Sequence, residues 1–251
     1  MRYVKLQFGC LLVILYIVIT YMRAIKRGKI KTNRQYNLLI GYDKTAKWKK
    51  VLLDLPGMIV IAVFYAIYFA KMISQKRHGI QTHQIGRVKE KSVHKVEVLM
   101  SIATLAAPVI QIMSMIFGWN HMPANARFTG FCIGMLGDLI FLTSVLCMKD
   151  SWRAGIPDKD RTKLVTEGIY RYSRNPAFLG FDFMYIGLLL MYFNLSMLAV
   201  SVFAIIMLHL QILQEERYLT ENYGDSYREY RKHVFRYLGR KLRSREKKEA
   251  T

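Results

Sequence analysis

Two short stretches hold most of the side chains with chemical capacity: EGIYRYSRNPAFLGFD at 167–182 and LHLQILQEERYL at 208–219. The first sets Arg174 beside Asn175-Pro176 at the mouth of an apolar run, and the second sets Glu215 and Glu216 just past the end of one. Proline suits the first turn of a helix, where its missing N–H would have no partner, and asparagine before it is a favoured N-cap. A helix is therefore predicted to begin at this dipeptide. Its free amides and dipole would make a partly positive pocket for a carboxylate or phosphate, with Arg174 alongside. Tyr170 and Tyr172 offer flat faces for stacking on a purine, or equally for an interfacial aromatic belt. Adjacent helical residues point about 100° apart, so Glu215 and Glu216 cannot face one ligand equally. One is expected to bind, accepting from ribose hydroxyls or holding an ammonium group, and the other to pair with Arg174 or Arg217.

Long apolar segments must position these groups. Hydrophobic residues make up 53% of the 251-residue chain and lie in dense blocks, which marks an integral membrane protein and an all-α, polytopic helix bundle of about five to six spans. Candidate spans cover residues 4–22, 51–73, 94–117 and 127–148. The apolar stretch Ala177–Leu213 is too long for one span and slightly short for two. With a polar break at Tyr192-Phe193-Asn194 it reads as a tight helical hairpin whose ends share one side of the membrane. Beyond it, YGDSYREYRKHVFRYL spaces Tyr223, Tyr227 and Tyr230 along one helical side, with Gly224-Asp225 as a stop and restart. This is expected to form a short amphipathic helix that folds back over the pocket or rests on headgroups.

The 38 Lys and Arg against 17 Asp and Glu lie between and after the apolar blocks, where they meet lipid headgroups and govern insertion. The basic loop Lys149–Asn175 and the basic tail from Gln214 are thereby assigned to the cytoplasm. Residues 23–50 and 71–95 are both basic although one span separates them, so one of them departs from the charge rule, or the LDLPG stretch at 53–57 is partly interfacial. The apolar start is read as a retained first span rather than a cleaved signal. Basic clusters never stand far from a span, which speaks against nucleic acid as a partner. Cys10, Cys132 and Cys147 lie in apolar blocks without ligand spacing, and His78, His83, His94, His121, His209 and His233 form no paired-histidine boxes, so no metal site is expected. Asp138, Asp182 and His209 are ionisable groups inside spans, expensive in lipid and hence candidates for function or for inter-helix hydrogen bonds.

LVTEGIYRYSRNPAFLG, a hairpin, and then EERYLTENYGDSYREYRKHV resembles the isoprenylcysteine carboxyl methyltransferase and phospholipid methyltransferase superfamily over roughly residues 130–238. The resemblance implies a membrane enzyme that binds S-adenosylmethionine in a cytoplasmic pocket and methylates a carboxyl, phosphate or amine group of a lipid or lipidated molecule. It implies N-terminal membrane helices at 1–125, a catalytic membrane domain at 126–238 and a basic tail at 239–251. Cofactor contacts carried over are Thr162, Lys163, Leu164 and Val165, then Tyr170, then Asn175, Pro176, Ala177 and Phe178, and finally Glu215 with Glu216 beside it. Glu215 is the preferred acid. Arg174 and Asn175 are the candidate catalytic residues, with Arg174 orienting the acceptor, and Asp182 and Gln211 are placed on the acceptor side. Asn175 stands for the family's histidine and Phe178 for its tyrosine. Gln211 replaces the arginine that contacts the acceptor carboxyl in the prenylcysteine enzymes, so the resemblance does not specify a prenylcysteine. Membrane steroid reductases that use NADPH share a related turn, and a non-catalytic lipid-binding scaffold is the third reading.

Overall fold

The computed structural model describes residues 44–82, 84–85, 90–117, 122–156 and 162–240, with side chains from Asp54 onward. The expected first span at 4–22, Cys10, His83, His121 and the tail beyond Arg240 lie outside the described residues. The chain divides into two units, Met1–Met58 and Ile59–Thr251, and the packing and the site described below lie in the second.

The described residues are overwhelmingly helical. Helix α1 runs Lys44–Arg77, α2 Lys91–Phe117, α3 Ala124–Met148, α4 Pro176–Met191 and α5 Leu195–His233, with short 3-10 turns at Lys149–Ser151 and Gly168–Arg171. Four of them are long and apolar enough to cross a membrane, and α4 is a shorter apolar helix. Helix α1 passes unbroken through Leu53–Gly57 with Pro56 inside it.

Helices α4 and α5 make the expected hairpin, turning at 192–194. Helix α5 runs on past Leu213 to a kink at Gly224, whose φ of 52° and ψ of −125° leave the helical region and separate the long helix from a short second one that ends at His233, as the stop-and-restart reading expected.

Packing follows from small residues. Helix α3 presents Gly130 and Gly137 to α4 and Gly134 to Val60 of α1, and an added Cβ at Gly187 of α4 would fall 2.5 Å from the Gly134 nitrogen and 2.6 Å from the Gly130 oxygen. Glycines let the two backbones touch, which replaces the hydrophobic drive that lipid does not supply between helices. Helix α2 packs along α5. Phe64, Phe141 and Phe181 join α1, α3 and α4, with ring centroids 4.5 Å apart for Phe64 against each of the other two.

The loops sort into two faces. After α1, Thr82 and Gln84 exchange backbone hydrogen bonds with Ala154 after α3 (Ala154 N–H to Thr82 O 2.9 Å, Gln84 N–H to Ala154 O 2.8 Å). Buried Gln75 donates to Trp152 O at 3.0 Å and accepts from the Thr82 hydroxyl at 2.6 Å. The basic loop at 71–95 thus shares a face with the loop at 149–175. At the other face Arg127, on the first turn of α3, lies 5.0 Å from the ring centre of Tyr192 at the hairpin turn.

Candidate functional site

The two polar ends of the hairpin meet on the face of loop 149–175, and a single carboxylate joins them. Glu216, 4% exposed, accepts from Asn175 Nδ2 at 3.1 Å, pairs with Arg174 Nη2 at 2.9 Å, and takes Arg236 Nε and Nη2 at 3.2 and 3.0 Å. A buried carboxylate is tolerated only when its lone pairs are filled by such donors. Helix α4 supplies the first donors because Pro176 occupies its N1 position and throws Asn175 and Arg174 outward. Hydrogen bonding to Glu216 pushes the Arg236 guanidinium above its ordinary range.

Asn175 stands at the N-cap as expected, but its side chain makes no cap hydrogen bond. The amide instead donates to Glu216 and to Arg236 O at 3.2 Å. Local capping loses because a buried carboxylate is the stronger acceptor for the amide NH2, whereas a cap would need its oxygen.

The loop is strapped to the far end of α5. The Tyr223 hydroxyl bonds to Thr162 O and lies 3.1 Å from the Thr162 hydroxyl, and the Tyr230 hydroxyl donates to Tyr170 O at 2.6 Å. Tyr227 between them is 1% exposed. Tyr223 and Tyr230 therefore face the loop from either side of the bend at Gly224, with Tyr227 buried between them.

Tyr170 is the clearest correction. Its ring is only 6% exposed and its hydroxyl lies 3.4 Å from Ser144 of α3, so it packs inside the protein and offers no open stacking face. Burial, opposed by the Ser144 hydrogen bond, pushes that hydroxyl well above its ordinary range, with the Glu215 carboxylate adding to the effect. Tyr172 is 60% exposed.

The other predicted residues fall as follows. Glu215 is partly exposed and accepts from Gln211 Nε2 at 3.1 Å, while Glu216 is the acid paired with Arg174, a division of labour that matches the geometry of adjacent helical residues. Arg174 has a side chain 7% exposed and is engaged with Glu216. Gln211 is fully buried and its Oε1 has no hydrogen-bond partner among the described residues. Thr162, Leu164 and Val165 are half-buried and Lys163 is exposed, and Pro176 is buried while Ala177 and Phe178 are half-buried. Asp182 is half-buried on α4, about one turn beyond Phe178, with Oδ1 unpartnered among the described residues.

Two site residues escaped the sequence reading. Arg236 sits in a basic tail where one arginine looks like any other. Its alternation with Phe235 and Tyr237 was the available signal. Glu97 on α2 is fully buried and accepts from Ile156 N–H, just before the predicted cofactor loop, at 3.2 Å. It comes from the half of the chain that carries no motif.

An acceptor pair of this kind fits S-adenosylmethionine: the Glu215 carboxylate and, next to it, the unpartnered carbonyl oxygen of Gln211 can both accept from ribose hydroxyls or an ammonium group.

Comparison with known proteins agrees with the motifs. Residues 126–226 match the sequence profile of the phospholipid methyltransferase family. A stretch of 72 residues, 28% of this chain, is 40% identical to protein-S-isoprenylcysteine O-methyltransferase of Schizosaccharomyces pombe, and the chain spans 30% of the length of that relative. A solved structure of a eukaryotic intramembrane Ras methyltransferase, isoprenylcysteine carboxyl methyltransferase, aligns over 95% of this chain and 98% of its own with a TM-score of 0.49 and 16% identity. The segment that holds the hairpin, the Asn-Pro turn and the acidic pair is the part of the chain that is similar to the isoprenylcysteine carboxyl and phospholipid methyltransferases.

Proposed function

We infer that this integral membrane protein transfers a methyl group from S-adenosylmethionine to a carboxyl, phosphate or amine group on a lipid or lipidated molecule, in a site opening to the cytoplasm. The observation that carries the reading is the joining of the hairpin's two ends through Glu216, which brings the loop at 162–178 and Glu215 to one place.

When bound, S-adenosylmethionine supplies an electrophilic methyl group on a sulfonium. The chain's own work is to hold, orient and exclude water. Glu215 and Gln211 accept hydrogen bonds from the nucleotide, and the extended loop Thr162–Val165 with Ala177 and Phe178 forms the walls. Glu216 fixes Asn175 and Arg174 so that the turn keeps its place against α5. Arg174 in this reading is a positioning residue, because its charge is already matched by Glu216. The tyrosine face of α5 covers the loop and keeps water out. Asp182 and the first turns of α4 face the route of a bilayer-borne acceptor. Methyl transfer needs alignment more than a strong base, and proximity with orientation supplies about 7 to 11 kcal/mol of the barrier. A carboxylate or phosphate acceptor attacks without deprotonation.

Titrating the purified protein in detergent with S-adenosylmethionine and separately with NADPH tests the reading. Binding of the first alone is expected, at least about tenfold weaker in Glu215→Gln. Tight NADPH binding would instead make the protein a reductase, and binding of neither would leave a lipid-binding scaffold. Methyl-labelled cofactor added to membranes then shows whether label enters lipid or protein.

A further inference from the structure

Residues 234–240 leave α5 as a strap that turns back on itself. Val234 and Arg240 pair as an antiparallel bridge, and Phe235 N–H donates to Gly239 O at 3.0 Å. Gly239 closes the turn with φ 124°, a conformation for which a side chain is unsuited, and an added Cβ would meet the Phe235 ring at 2.7 Å.

Two contacts fix the height of this strap along α5. Arg236 reaches Glu216, while the Tyr237 hydroxyl lies 2.5 Å from His209 Nδ1 and its ring stacks on the imidazole with centroids 6.0 Å apart. His209 and Glu216 are seven residues apart on one helix, about 10 Å along its axis. The strap therefore lies against the last apolar turns of α5, beside Ile212 and Leu213, and not beyond the helix in the aqueous compartment. Val202, Ile206 and Leu213 are exposed at seven and three residues before and four after His209, which puts all four on one helix face. The strap thus rests on a stripe that otherwise faces lipid.

The strap is also knitted to the Asn-Pro turn. Arg174 N–H donates to Phe235 O at 3.1 Å, Gly239 N–H to Tyr172 O at 2.7 Å, and Asn175 Nδ2 to Arg236 O at 3.2 Å. Helix α4, which that turn begins, has 16 residues. At 1.5 Å per residue it is about 24 Å long, shorter than a hydrocarbon core of about 30 Å, so its entry turn is drawn below the headgroups. The strap leaves Leu238 67% exposed and Phe235 45% exposed, flanked by the exposed Arg231 and Arg240.

We propose that the strap 234–240 is an interfacial anchor that inserts Leu238 and Phe235 into an anionic lipid leaflet, with Arg231 and Arg240 on the headgroups, and that this insertion seats Arg236 on Glu216 and the turn at 172–175. The bilayer then completes the site: without lipid under Leu238 the strap loses its apolar support, and with it two backbone hydrogen bonds and one side-chain hydrogen bond to the turn. Only the last consequence, an effect on ligand binding, rests on the methyltransferase reading.

The test uses the full chain in nanodiscs. A nitroxide is attached at Leu238→Cys, and at Arg228→Cys as an aqueous control, with Cys10, Cys132 and Cys147 replaced by serine. Power saturation with oxygen and with a water-soluble nickel chelate reports immersion. Oxygen is expected to dominate at 238 and nickel at 228, and the immersion at 238 is expected to deepen when phosphatidylglycerol replaces part of the phosphatidylcholine. Nickel-dominated relaxation at 238 would overturn the anchor, and immersion indifferent to phosphatidylglycerol would overturn the headgroup contacts. In a second arm Leu238→Glu, a charge disfavoured in lipid, is expected to bind S-adenosylmethionine about tenfold more weakly in nanodiscs while unfolding in detergent at the temperature of the parent. Unchanged affinity would overturn the coupling. Absence of cofactor binding in the parent would sink the methyltransferase reading and leave the immersion result standing.

Discussion

The hairpin has two asparagines, one before each of its helices, and they behave differently. Asn194, at the turn, has extended backbone and accepts Met197 N–H on its side chain at 2.9 Å, the ordinary work of an N-cap. Asn175, at the polar end, occupies the same position before α4 and does none of it. Its carbonyl receives Leu179 N–H, but its side chain crosses to α5 and serves Glu216. Giving up a cap costs about 1 kcal/mol. A hydrogen bond to a charged group contributes about 1.5 to 3 kcal/mol, which offsets the loss. Where a residue with a strong local preference is diverted from it, a tertiary demand has won, and in this molecule that happens at the end carrying the site.

The largest effect should come from removing the demand itself. Glu216→Gln keeps the shape but leaves the Arg174 guanidinium, with a side chain 7% exposed, without its anion. Breaking a buried pair from one side costs about 3 to 5 kcal/mol. Denaturant unfolding in detergent should show that loss, together with faster proteolysis in the strap, since Arg236 loses the same partner. Arg236→Gln should cost far less, because Glu216 keeps Arg174 and Asn175 as partners and the Arg236 side chain is the more exposed of its two cations. If the two variants proved equally mild, the polar end would be no more than a solvated helix terminus and the contrast with Asn194 would vanish.

Next in size is the diverted asparagine. Asn175→Ala should destabilise by about 1 to 3 kcal/mol through the donor lost at Glu216. Asn175→Ser sharpens the comparison, because serine is as good a cap as asparagine but too short to cross to α5. The serine variant is expected to regain stability relative to alanine and yet bind S-adenosylmethionine as poorly as alanine does. Recovery of affinity in the serine variant would show that helix capping, and not the bridge to Glu216, is what the ligand needs.

Much of this architecture was legible because it depends on local chemistry. The apolar runs gave α2 as 94–117 against the observed Lys91–Phe117 and α3 as 127–148 against Ala124–Met148, and Pro176 and the 192–194 break located both helices of the hairpin. Gly224 announced its own bend. What the sequence could not display was which long-range partner each polar group would choose. Asn175 looked like a cap because capping is a nearest-neighbour property, and the competing carboxylate lies 41 residues away. Tyr170 looked like an open aromatic face because its partner, Ser144, sits on another helix. Arg236 and Glu97 were invisible for the same reason: a basic tail and an isolated acid at the start of a span have no pattern until the fold brings Glu216 and the Ile156 amide to them.

The smallest effect is expected at the quiet end, and it completes the comparison. Asn194→Ala removes the oxygen that accepts Met197 N–H, so α5 should lose about 1 kcal/mol. Asn194→Asp should retain the cap and gain slightly from a negative charge at a helix N-terminus. Neither change touches the residues around Glu216, which stands near the opposite end of the membrane-crossing part of α5, so cofactor affinity in both should equal that of the parent. Paired unfolding and binding titrations on the two variants check this. An affinity loss in Asn194→Ala as large as that in Asn175→Ala would mean that the hairpin transmits the state of its turn along its whole length. The site would then depend on the rigidity of α4 and α5 together rather than on the carboxylate that ties their polar ends.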